Sequence, residues 1–173
     1  TPQELYARPA NLYVAAFIGS PSMNLVEAEI DGGRLRFGGY AIPLPEGGAP
    51  PVGRVIAGIR PEAFEDAAFA EPSLPRIDVK VEVVEELGAD THVLFSVAAP
   101  KVDVSEVRAA AGEEDAALAA VDGSLFTARV DPGTAARPGT PVGLAVDPSR
   151  FHYFDPETGL RLEPERALAA LAN

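Results

Sequence analysis

From Asn24 onward, apolar residues fall at every second position, in short runs broken by glycine and proline. Val26, Ala28 and Ile30 share one face, and Glu27 and Glu29 take the other, which is the period of a half-buried strand. Asp31-Gly32 has the composition of a two-residue hairpin turn. Folding there predicts Glu29 opposite Arg34, Glu27 opposite Arg36, Ala28 opposite Leu35 and Val26 opposite Phe37, so that charge and apolarity agree on one register. More strands follow. Residues 54–59 are apolar on both faces and predict a buried strand. Residues 77–84 alternate, and Gly88-Ala89-Asp90 turns the chain into 91–98. Residues 125–130, 142–146 and 151–154 complete the set, with Pro/Gly-rich turns at 43–53 and 132–141. Short strands punctuated in this way predict a mainly β protein, a barrel or a sandwich.

Three segments break the period of two. At the start, Thr1-Pro2-Gln3-Glu4 is a capping box with proline at the first helical position, and Pro9 ends the helix that it opens. Asn11 can cap a second helix, in which Tyr13, Val14, Phe17 and Ile18 fall on one stripe. Gly19 and Pro21 terminate it. Residues 105–121, rich in alanine and acid, predict an inserted helix or a poorly ordered segment; Ser105 could cap the helix, and Gly112 weakens its middle by about 1 kcal/mol relative to alanine. Residues 164–172 predict a last short helix with Leu168 and Leu171 on one face.

Charge narrows the function classes. The chain carries 26 acidic residues against 14 lysines and arginines, a net charge of −12. Only Lys80 and Lys101 are lysines. Nucleic-acid binding needs a cationic face to displace counterions, so none is expected. Cysteine is absent, which removes disulfides and thiolate metal sites. No apolar run reaches the length that crosses a bilayer, and no signal segment is expected at the start. A chain that opens on threonine is expected to be a processed product or a piece of a longer protein.

Several of these residues also form ordered motifs. Thr1-Pro2-Gln3-Glu4-Leu5-Tyr6, Arg8-Pro9-Ala10-Asn11 and the run from Val14 through Ile18-Gly19-Ser20-Pro21-Ser22-Met23-Asn24 closely resemble the end of the nucleotide-binding domain in MalK-type ABC ATPases. Gly58-Ile59-Arg60-Pro61-Glu62, then Val83-Val84-Glu85-Glu86-Leu87-Gly88, then Phe154-Asp155-Pro156-Glu157-Thr158-Gly159-Leu160-Arg161-Leu162 are similar to later landmarks of that family. The resemblance spans 1–162 and implies the ATP-binding subunit of an importer for sugars or glycerol phosphate. It implies a regulatory barrel of the oligonucleotide/oligosaccharide-binding (OB, TOBE) type following the ATPase domain. The expected layout is 1–22 as the helical end of the nucleotide-binding domain, 23–162 as the barrel with an insertion near 103–122, and 163–173 as a helical tail. The insertion is longer and more helical than the family's hairpin. The resemblance further implies a homodimer through the barrel, permease subunits reached through the ATPase domain, and a peripheral position on the cytoplasmic side of the membrane. Some members also receive regulatory proteins or small-molecule signals.

Hydrolysis of ATP needs a glycine-rich loop ending in lysine and a hydroxyl residue, which cradles the phosphates and holds magnesium. Neither Lys80 nor Lys101 stands in such a loop. This stretch is therefore expected to be catalytically silent and to hold no cofactor, with ATP and magnesium confined to the parent's other domain. Related barrels take oxyanions, so a small-ligand module for an oxyanion or sugar is the alternative.

Five residues are candidates for interface or regulatory contacts. Arg60 could meet a partner or an anion, or simply pair with Glu62 at a strand exit. Ser20, Ser22 and Asn24 could line a seam with the ATPase domain, or satisfy backbone groups between helix and strand. His92 and His152 lie on strands as partly exposed residues without the convergent ligands or nucleophile of a site. Glu85-Glu86 and Glu113-Glu114-Asp115 fit solvated surface. Phe151 and Tyr153 share a face and fit the core.

Overall fold

The computed structural model describes residues 1–51, 53–102 and 124–164. The expected helix at 105–121, the acidic run Glu113 to Asp115, and all but the first residues of the 163–173 tail lie outside them.

Two short helices open the chain. α1 (Pro2–Ala7) carries the complete capping box, with Thr1 accepting from the Glu4 amide and Glu4 reaching back. α2 (Leu12–Phe17) is capped by Asn11, whose side chain accepts from the Val14 amide. The strands follow as β1 (Asn24–Asp31), β2 (Arg34–Phe37), β3 (Tyr40–Pro43), β4 (Arg54–Ile59), β5 (Phe64–Asp66), β6 (Arg76–Glu86), β7 (Thr91–Val97), β8 (Ser124–Val130), β9 (Pro141–Val146), β10 (His152–Phe154) and β11 (Arg161–Leu162). Single 3-10 turns stand at Pro61–Ala63 and Pro148–Arg150. One sheet runs β11-β10-β4-β1-β2-β3, the other β5-β9-β6-β7-β8. Adjacent strands pair antiparallel throughout. The fold is thus mainly β, a curled antiparallel half-barrel with short N-terminal helices.

The core lies between the sheets. Val26, Leu35, Val55 and Ile59 from the first sheet meet Val81, Phe95, Phe126 and Leu144 from the second, all within one buried cluster. Phe37, Phe126, Phe95 and Phe64 form an aromatic chain with centroids 5.8–6.0 Å apart, a spacing at which rings attract beyond their area. Phe151 and Tyr153 are in this core. β4 is buried on both faces: Val55, Ala57 and Ile59 face the main core, and Ile56 packs with Leu12, Ala15, Met23 and Phe154 in a second cluster outside the sheet. That second cluster docks α2.

Three expectations are corrected. The β1–β2 register pairs Glu29 with Arg36, Ile30 with Leu35 and Asp31 with Arg34. The turn residues are Gly32 and Gly33, at φ +58° and +74°. A two-residue hairpin turn of this hand needs positive φ at both central positions. Two glycines supply that freely, whereas a turn on Asp31-Gly32 would strain Asp31. Each partner moves by two positions, so every side chain keeps its expected face, and Leu35 and Phe37 stay buried. Second, the stripe of Tyr13 and Phe17 does not dock α2. Both are exposed and pack on each other, centroids 4.8 Å apart, while Leu12 and Ala15 face β4. The small Ala15 lets the helix come close to the sheet, which two aromatics would prevent. Third, His92 is buried in β7 rather than partly exposed.

Candidate functional site

Asn24 begins β1 opposite Ile59 of β4 and is 6% exposed. Its amide nitrogen donates to the carbonyls of Ile59 and Thr127, both at 2.9 Å, and its oxygen accepts from the Thr127 amide at 2.8 Å. Thr127 lies on β8, an outer strand of the other sheet. One side chain therefore bridges the two sheets where they meet, using both halves of an amide. No other side-chain type presents that donor–acceptor pair except glutamine, which is one methylene longer. Ser20 and Ser22, between α2 and β1, are both exposed.

Arg60 leaves β4 and is 4% exposed. Its guanidinium donates to the carbonyl of Ile18 at 2.6 Å and of Tyr6 at 2.9 Å, and it lies 3.9 Å over the Tyr6 ring. The Tyr6 hydroxyl in turn donates to the Glu62 carboxylate. Glu62 thus meets Arg60 through Tyr6, in place of the simple pair that the sequence suggested. Burial pulls the Arg60 guanidinium below its ordinary value, opposed by Tyr6 and then by the Glu62 charge. Burial and the bond to Glu62 push the Tyr6 phenol up. The Arg60 Nε is enclosed and has no hydrogen-bond partner among the described residues. Gly19 makes room for the contact: at φ +114°, a Cβ there would stand 2.9 Å from the Arg60 guanidinium. Arg60 is therefore the clasp that holds both helix ends, the Tyr6 and Ile18 carbonyls, to the barrel.

Beside this clasp opens a cleft of about 520 Å³, between the end of α1, the turn at Pro148–Arg150, β10 and β11. Four arginines (Arg8, Arg60, Arg150 and Arg161) line it, against two glutamates, Glu62 and Glu163. Arg8 and Arg161 both bond to Glu163, at 2.8 and 3.2 Å, and Arg150 donates to the Glu62 carbonyl at 2.8 Å. Arg161 also stands 3.0 Å from the His152 Nδ1. A guanidinium can only donate, so Nδ1 is the acceptor and the imidazole is neutral. Burial, then Arg161, Arg60 and Arg150, hold His152 down at about 4. Sequence reasoning missed this cluster, because its arginines are scattered from position 8 to 161 and meet only when β10 and β11 pair. The one available signal was that arginine carries nearly all the positive charge.

Among the described residues, no three His, Asp or Glu side chains converge as metal ligands. Glu85 and Glu86 are exposed at the end of β6. Among the described residues, no helix is long and apolar enough to cross a membrane.

Residues 19–64, which contain all five candidates, match the family model described as the MalK OB fold domain. Over 96% of its length, the chain is 38% identical to the trehalose import ATP-binding protein SugC of Mycobacterium tuberculosis. It is 37% identical over 91% of its length to the sulfoquinovosyl glycerol transport ATP-binding protein SmoE of Agrobacterium fabrum. It is 35% identical over 94% of its length to the sn-glycerol-3-phosphate import ATP-binding protein UgpC of a Ruegeria species. It spans 45%, 38% and 38% of those three relatives, respectively.

Proposed function

We propose that this chain, whose residues 19–64 match the MalK OB fold domain, is the regulatory and dimerisation part of the ATP-binding subunit of an ABC importer for a sugar or glycerol phosphate. The supporting observation is the pairing of nearly complete coverage of this chain with less than half coverage of its importer relatives. A phosphate-cradling loop, absent between Thr1 and Asn173, is assigned to the other part of the parent, which binds ATP and magnesium and meets the permease on the cytoplasmic side. The power stroke belongs to that part; the barrel holds the pair of subunits together while the catalytic parts open and close.

The helices fit the role of a seam. α2 presents Tyr13 and Phe17 outward, and α1 presents Leu5, each more than 40% exposed. Their inner faces are clasped to the barrel by Arg60 and by Leu12 and Ala15. We assign the outward face to contact with the ATP-binding part, so that movement there is passed rigidly to the barrel. Ser20 and Ser22, exposed beside it, join that contact.

Sedimentation equilibrium checks the dimer. The isolated chain is expected to associate weakly, with dimer present at hundreds of micromolar, an affinity of only about 5 kcal/mol. A strict monomer at that concentration contradicts a self-sufficient dimer interface.

A further inference from the structure

The arginine-lined cleft is not used by the importer reading. Its lining carries a surplus of two positive charges on a chain whose net charge is −12. His152 adds no charge, since its Nδ1 accepts from Arg161. The carboxylates spread over the rest of the molecule do not cancel this surplus locally, because charges beyond about 8 Å are largely screened at physiological ionic strength. The two glutamates within the cleft are also partly spent. Glu163 is shared by Arg8 and Arg161, and Glu62 takes the Tyr6 hydroxyl.

Donors remain. Each guanidinium offers five N–H groups. Among the described residues, Arg8 and Arg150 each use one on a protein acceptor, and both side chains are largely exposed at the cleft. Arg60 also lines the cleft but is 4% exposed with its Nε enclosed, so it adds charge rather than an open donor. Arg8 and Arg150, each with donors left over and with two more guanidiniums behind them, form an arrangement that an anion completes. Planar guanidinium forks match the oxygens of a phosphate two at a time. A phosphomonoester is a dianion near neutral pH, equal and opposite to the surplus. Phe151, Ala7 and Pro164 lie on the same walls and suit the organic half of an ester.

We propose that this cleft binds a phosphomonoester dianion, with Arg8 and Arg150 as its direct donors and Arg60 and Arg161 behind them. The site is built from the end of α1, the Pro148–Arg150 turn, β10 and β11 of one chain, so it is independent of whether the parent is an importer subunit.

Calorimetry tests it at constant ionic strength, with inorganic phosphate, glycerol phosphate and, as the uncharged control, glycerol. Saturable binding of both phosphates below about 1 mM, and none of glycerol, is expected. Arg150→Gln should weaken phosphate binding by roughly tenfold, whereas Arg36→Gln, on the distant β2, should leave it unchanged. The ring signals of His152, separated from those of His92 by the variant His92→Gln, supply a second readout. At about pH 7, where the ligand is a dianion, phosphate bound beside the imidazole should shift these signals saturably. Binding that does not saturate, or that Arg150→Gln and Arg36→Gln affect equally, overturns the site. So do His152 ring signals that saturating phosphate at that pH leaves in place.

Discussion

Replacing Asn24 by alanine is expected to destabilise the fold by about 3 kcal/mol, since each buried backbone group stripped of its partner costs about 1–3 kcal/mol. The substitution removes three hydrogen bonds at once, two to carbonyls and one from the Thr127 amide. It also severs the side-chain bridge between β1 and β8. A loss of that size is a large share of the roughly 5–15 kcal/mol that holds an ordinary domain. Asn24→Asp separates bonding from shape. The carboxylate can still accept from the Thr127 amide, but its second oxygen would face the carbonyls of Ile59 and Thr127. At neutral pH the loss should therefore exceed that of alanine. The same carbonyls would raise the new carboxyl above the ordinary aspartate value of about 3.9. A group raised in the folded state stabilises at low pH, so the excess over alanine should shrink as pH falls toward that range. Urea unfolding followed by far-ultraviolet circular dichroism, at two pH values, measures both effects. A loss below about 1 kcal/mol for alanine would mean that the bridge is dispensable, since a single hydrogen bond is worth about that much.

The second large effect is expected at Arg60. Arg60→Ala removes two charge-assisted bonds to the Tyr6 and Ile18 carbonyls and the contact with the Tyr6 ring. Charge-assisted bonds contribute about 1.5–3 kcal/mol each, offset by the burial of the guanidinium, so a net loss of about 3 kcal/mol is expected. The location distinguishes this loss from that at Asn24. Hydrogen exchange should rise in α1 and α2, while β6, β7 and β8 keep their protection. Arg60→Lys should recover only part, because an ammonium lacks the planar fork that spans two carbonyls. Equal loss of protection in all three strands would instead make Arg60 a general core residue.

Much of this fold was legible in the sequence because its determinants are local. Capping at Thr1 and Asn11, the alternation of β1 and β6, the turn into β7, and the two-sided apolarity of β4 each lie within a few residues. What escaped was set at a distance or was too short to show a period. β3 has four residues and ends on Pro43, while β5 has three and β11 has two. Such lengths are defined by their neighbours' ladders. The hairpin register turned on which two residues adopt positive φ, and Gly33 outcompeted Asp31. The docking face of α2 was chosen by the surface of β4, which the helix's own periodicity cannot contain. At the site, Arg60 and Asn24 were visible as residues but not as roles. Arg60 was read with Glu62, two positions away, whereas its acceptors lie 42 and 54 positions earlier. Asn24 reaches 103 positions to Thr127. The cationic cleft escaped for the same reason, its arginines gathered from both ends of the chain.

The proposal that this chain is the non-catalytic part of an importer ATPase is tested most directly by ATP hydrolysis, measured side by side with magnesium present. The gene product that includes the coding sequence upstream of Thr1 is expected to hydrolyse ATP, and the chain from Thr1 to Asn173 is expected to release no phosphate above buffer. Turnover by this chain that survives repurification and tracks with the protein, or a longer product that never hydrolyses ATP, contradicts it.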